Sequence, residues 1–267
     1  MQPQTPARNL PLNQNDNHHF FIHKSFDMKR LLLSTAILFL ALGLNAQNEK
    51  RYGGGGSFNL GIQTMDVEPI NDIISRYGYE ELSNVNASIG GGGQFYLGNW
   101  VVSGEGGFIG QDDVKNDNYT LLFGAGYGMF SVGYGIVDKE RLFLYPSIGG
   151  GFYGTGLQLS QRNDGASFED LFAEPEANED RTISTGAFTG AGQVAINADF
   201  WLSSKDGNAY GLMLGLSAGY RFSGSAEFES IAGSELANSP DFNPGGAFVT
   251  LRIGGGFRGS KEALKNR

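Results

Sequence analysis

Residues 210–222 read YGLMLGLSAGYRF, and their alternation constrains this chain more than any other feature. Tyr210, Leu212, Leu214, Leu216, Ala218, Tyr220 and Phe222 share one parity, while Gly211, Met213, Gly215, Ser217, Gly219 and Arg221 share the other. A strand points successive side chains to opposite faces. This segment is therefore a strand with one bulky apolar face and one nearly bare face. The pattern recurs in segments at about 53–64, 85–97, 100–110, 118–137, 142–159, 183–203, 209–222 and 245–257, eight in all. In the sixth, Phe188, Val194, Ile196, Ala198, Phe200 and Leu202 oppose Thr185, Thr189, Gln193, Asn197 and Asp199. In the fourth, parity shifts near Met129–Phe130, which reads as a β-bulge.

The connectors alternate in length. Residues 65–84, 111–117, 160–182 and 223–244 are long or intermediate, whereas 98–99, 138–141 and 204–208 are tight turns. Long loops at one end and short turns at the other describe an up-and-down barrel with both chain ends on the short-turn side. In a soluble barrel the apolar face points inward and the outside carries many charges. Here the face opposite the leucines is Gly, Ser, Thr, Ala, Asn and Gln, and the patterned segments hold only Glu105, Asp199, Arg221 and Arg252 as clear charges. The inverted arrangement fits, with apolar side chains against lipid and small polar ones filling a narrow lumen. The expected fold is all-β, an eight-stranded antiparallel up-and-down transmembrane β-barrel. Trp100, Trp201, Tyr210, Tyr220, Phe222 and Phe257 fall near strand ends, where aromatic girdles meet the membrane interfaces.

From Met28 the chain reads MKRLLLSTAILFLALGLNAQ. Lys29 and Arg30 precede an apolar run at 31–44, and Leu44-Asn45-Ala46 offers a cleavage site, so 28–46 reads as a signal peptide. The run falls short of the ~20 residues a spanning helix needs, which sets export ahead of the alternative, a retained anchor. Residues 1–27 are polar and patternless and read as an extension upstream of the true start at Met28. The barrel then spans 47–257, and 258–267 form a periplasmic tail.

The leader, the eight alternating strands and the closing aromatic strand ending at Phe257 resemble the small outer-membrane β-barrels of Gram-negative bacteria, the OmpA/OmpX-like group. The LNAQ end of the leader resembles those of Bacteroidetes exported proteins. The resemblance implies location in the cell outer membrane, in contact with its lipid and surface glycolipid. Members of the group often end on the terminal aromatic, whereas here Phe257 is followed by RGSKEALKNR.

Composition excludes several chemistries. The chain of 267 residues contains no cysteine, which removes disulfides, thiolate metal sites and cysteine nucleophiles. A net charge of −9 argues against nucleic acid. All three histidines, His18, His19 and His23, lie in the upstream extension, so the mature chain has no imidazole to act as general base. The resembling barrel proteases, phospholipases and lipid A deacylases depend on histidine. No enzyme activity, catalytic residue, cofactor or resident metal is expected. The glycine runs at 53–56, 90–93, 149–151 and 254–256 lack the strand–turn–helix setting and GK[ST] of a phosphate loop, and read as lumen packing.

The loop at 160–182 is acidic, carrying Asp164, Glu169, Asp170, Glu174, Glu176, Glu179 and Asp180 against Arg162 and Arg181. It reads as a solvated loop, or as a place where divalent cations bridge to surface glycolipid. Lys139, Arg141, Lys205, Arg258, Lys261, Lys265 and Arg267 collect at the other end. In the first loop Ile70, Ile73, Ile74 and Tyr77 follow helical spacing, so EPINDIISRYGYEEL reads as a short helix that packs within its loop, caps the barrel mouth or contacts a partner, simple loop packing being the commoner case. Counting from the turns places Glu105, Asp199 and Arg252 at one depth in the lower lumen, with Arg252 bridging both carboxylates and Arg221 outside the cluster. The alternative is that each ion is separately hydrated. Two functions stay open: a structural or surface-interaction protein acting through its acidic loops, or a narrow pore or small amphiphile carrier using a glycine-lined lumen.

Overall fold

The computed structural model describes residues 51–161, 182–230 and 239–260. The leader, the upstream extension, most of the acidic loop and residues 261–267 lie outside them. Eight long strands form the wall: β1 (Arg51–Thr64), β2 (Val85–Leu97), β3 (Trp100–Gly110), β4 (Tyr119–Tyr134), β5 (Leu142–Gln161), β6 (Thr182–Lys205), β7 (Asn208–Ser223) and β8 (Gly246–Ser260). Each pairs antiparallel with its neighbours in sequence, and β1 pairs with β8, so the sheet closes on itself. The shortest strand has 11 residues and the longest 24, each enough for the ~9–11 a tilted strand needs to cross a bilayer. The β6–β7 turn is a two-residue Asp206-Gly207 pair, both at positive φ, the geometry that joins twisted strands most tightly.

The last strand runs to Ser260, past the expected end at Phe257. Arg258 is consequently a fully buried barrel residue and not part of a tail. The expected bulge at Met129–Phe130 is absent: β4 holds an unbroken register with both neighbours and turns Leu121, Phe123, Ala125, Tyr127 and Met129 inward. The shift in parity was an artefact of reading apolar as outward, because the upper lumen is itself apolar. The wall's register irregularity falls instead between Trp201 and Ser203.

Glycine also departs from expectation, occurring on both faces. Gly104, Gly110, Gly156 and Gly190 share the lipid-facing parity of Phe108, Leu122, Phe152 and Phe188, with open space where a Cβ would stand. Trp201 is no girdle residue either, being fully buried in the lumen, whereas Trp100, Tyr220 and Phe222 are exposed near strand ends as expected.

At the loop end, α1 (Glu68–Ile74) lies over the barrel mouth. Its Ile70 and Ile74 are buried with Met65, Val67 and Leu82, against Val114 of the second loop, Leu121 and Phe123 of the wall and Ala226, Phe228 and Phe242 of the last loop. The Asn71 carboxamide fastens the segment by accepting from Leu82 N at 2.8 Å and donating to Leu82 O at 3.1 Å. Of the helical-spacing residues, Tyr77 alone stays largely exposed, at 72%.

Candidate functional site

The buried charged side chains of the wall strands lie inside the barrel. In the lower lumen Arg252 of β8 and Asp199 of β6 meet although β7 runs between them. They can do so because Gly215 is register partner to both. A Cβ on Gly215 would lie 2.8 Å from Arg252 Nε and 3.1 Å from Asp199 Oδ1. Over that gap Arg252 Nη2 donates to Asp199 Oδ1 at 2.7 Å, and Asp199 is fully buried. The other carboxylate oxygen accepts from Tyr96 Oη at 2.7 Å and Gln94 Nε2 at 3.0 Å. Arg252 Nη1 donates to Gln94 Oε1 at 2.9 Å and Tyr145 Oη at 3.2 Å. A buried ion pair needs such satisfaction of its remaining donors and lone pairs to offset desolvation. Gly215→Val is expected to wedge the pair apart and destabilise the barrel by about 1–3 kcal/mol, read as a lower urea midpoint of the refolded protein.

Glu105 is not part of this group. Its Oε1 accepts from Arg221 Nη2 at 2.8 Å. Arg221 is buried, donates to Gln193 Oε1 at 2.7 Å and Gln63 Oε1 at 2.6 Å, and is sandwiched by the rings of Tyr127 and Phe248 at 4.0 and 4.2 Å. The expected three-residue bridge is thus replaced by two ion pairs at two levels, and Arg221 belongs to one of them. Counting residues from each turn misled because the strands of a barrel are tilted and staggered. The ladder carries the level of Glu105 through Met129, Gly151 and Ala191 to Ser223, two residues from Arg221.

A third group closes the turn end, where Asp138 accepts from Arg51 Nη1 at 3.2 Å and forms an ion pair with Arg258 Nη2 at 2.5 Å. The Arg258 guanidinium stacks 4.0 Å over Phe143, within a buried cluster of Tyr96, Val101, Phe143, Tyr145, Trp201 and Met213. Pattern reading missed Asp138 because it lies in a turn, and Arg258 because it follows the aromatic taken as the terminus. The lumen parity of Gln94, Tyr96 and Tyr145 was readable, but their partners were not.

Outside, the wall is apolar. Phe58, Leu60 and Ile62 of β1, Leu212, Leu214 and Leu216 of β7 and Val249, Leu251 and Ile253 of β8 are all exposed. Of the charged side chains on the wall strands, Glu105, Asp199, Arg221, Arg252 and Arg258 are directed into the lumen, and Lys205 stands exposed at the turn end of β6. Water would not tolerate such an apolar girth, whereas a bilayer accepts a closed barrel carrying it. The chain is an outer-membrane β-barrel. Contact with membrane lipid follows from that wall.

No family model matches the sequence, and no curated protein matches it. Among solved structures the barrel resembles the outer membrane protein OprG from Pseudomonas aeruginosa, with 12% identity over 79% of this chain and 97% of that one and a TM-score of 0.35. It also resembles Ail, the attachment invasion locus protein of Yersinia pestis, with 12% identity, 77% and 98% coverage and a TM-score of 0.34. The outer membrane protease OmpT from Escherichia coli gives 10% identity, 78% and 94% coverage and a TM-score of 0.30. Among the described residues no group of acidic or imidazole side chains is arranged to hold a metal ion. The acidic loop singled out for divalent cations lies mostly outside those residues.

Proposed function

We propose that this protein is a non-catalytic wall element of the outer membrane, of the OmpA/OmpX-like kind, acting through its acidic loops as a structural or surface-interaction protein. One observation carries the reading: side chains block the lumen at both ends. Above, α1 and the last loop pack an apolar plug onto Leu121, Phe123 and Met129. Below, the aromatic cluster around Trp201 and the Arg258–Asp138 pair fill the bore. Between them lies a lumen cavity of only about 20 Å³. In this orientation the long loops face outward and the short turns face the periplasm, presenting Glu68, Asp72, Glu80 and Glu81 at the surface. The absence of histidine from the mature chain supports a role without acid–base chemistry.

Planar-bilayer recording of the refolded protein tests this. Silence across physiological voltages is expected, and steady open currents would make it a narrow pore. The amphiphile-carrier reading retains one supporting observation, on the wall rather than in the lumen. Grooves of about 460 and 570 Å³ run over outward glycines such as Gly104, Gly128 and Gly150, and Gly124, Gly126 and Gly154.

A further inference from the structure

The small cavity at the waist of the lumen is lined by Asn59, Ser103, Glu105, Asn197, Ser217 and Arg252, among others. It therefore touches one member of the Arg252–Asp199 pair and one of the Arg221–Glu105 pair, Arg252 of the lower and Glu105 of the upper. Its volume of about 20 Å³ exceeds the ~10–15 Å³ that one water requires, and such a water needs two to four polar partners.

Two lining residues supply buried donors that meet no acceptor among the described residues, Asn59 Nδ2 and Arg252 Nε. These residues face each other across the β1–β8 pairing and are 2% and 6% exposed. Their other polar atoms are already engaged. Asn59 Oδ1 accepts from Ser57 Oγ at 2.8 Å, and the two Nη atoms of Arg252 serve Gln94, Tyr145 and Asp199. Leaving both N–H groups unmet in a dry interior costs the full desolvation of each. Glu105 faces the same cavity with a carboxylate of which Arg221 takes Oε1.

We propose that the waist binds one ordered water that accepts from Asn59 Nδ2–H and Arg252 Nε–H and donates to the Glu105 carboxylate and the Ser103 hydroxyl. Two lone pairs and two protons are thereby all used. The hydrogen bonds of Arg252 include none to Glu105, so this water is the link through which the upper and lower ion pairs sense each other.

The test is water–protein cross-relaxation by NMR on the full-length chain refolded in micelles, with labelled side-chain nitrogens. Cross-peaks of the sign given by a water resident for nanoseconds or longer are expected at the Asn59 carboxamide and at Arg252 Nε–H. Asn59→Leu, which fills the site with methyl groups, should abolish the Arg252 peak. Ser103→Ala, a milder change that removes one acceptor, should weaken both peaks. Absence of both cross-peaks in the unsubstituted protein would overturn the proposal without recourse to any variant. So would a rotated Asn59 carboxamide whose oxygen accepts directly from Arg252 Nε–H, seen as a through-bond coupling. An Arg252 cross-peak that survives unchanged in folded Asn59→Leu would also remove the bridge.

Discussion

Arg252→Ala is expected to weaken the folded barrel by about 3–5 kcal/mol, the cost of stranding a buried charge by deleting its partner. Asp199 has no exposure, and the variant leaves it with Tyr96 and Gln94 as its donors. Urea unfolding of the barrel refolded into bilayers, followed by tryptophan fluorescence, gives the measurement, since Trp201 lies in the neighbouring cluster. Replacing both partners, as in Arg252→Met with Asp199→Leu, should recover most of the loss, because well-packed apolar pairs substitute for buried ion pairs at little cost. A cost below about 1 kcal/mol for the single variant would mean that water reaches Asp199 and solvates it, as at an exposed pair.

The second large effect belongs to the outer face. Leu216 sits midway along β7, 51% exposed and directed away from the lumen. Leu216→Arg should cost about 2–4 kcal/mol in a bilayer, the penalty for a cation near the midplane, whereas Tyr210→Arg near the turn end should cost about 0–1. In a water-exposed barrel both exchanges would be close to neutral. Equal costs at the two depths would refute the assignment of this face to lipid.

The strands were legible because a period of two persists even where glycine erases the side chains. All eight expected segments overlap the observed strands, and the short turns fall where Asp206-Gly207 and Gly98-Asn99 signal them. Parity was legible wherever the lumen is small and polar, as along β7. It failed in β4, where Phe123, Tyr127 and Met129 face inward to meet a plug built from loops distant in sequence. Trp201 misled for the same reason, since an aromatic near a strand end fits a girdle and a lumen plug equally well. The lumen charges announced themselves by sitting at polar parity, and the proximity of Asp199 and Arg252 followed from their counts. Which carboxylate Arg221 would take depended on stagger between non-adjacent strands, and no local pattern records that.

The pairing of β1 with β8 runs from Arg51↔Ser260 to Gln63↔Phe248 and joins the earliest and latest parts of the wall. Its consequence is temporal. Until residues 246–260 arrive, the growing sheet has two open edges whose N–H and C=O groups hydrocarbon cannot satisfy, so no partial wall can rest stably in the membrane. Asn59 and Arg252 lie on opposite sides of that seam, and the lower ion pair itself needs β8. Insertion and closure therefore become one event, completed by the C-terminal strand, and a chain truncated before Gly246 should be cleared by proteases rather than accumulate as a smaller barrel.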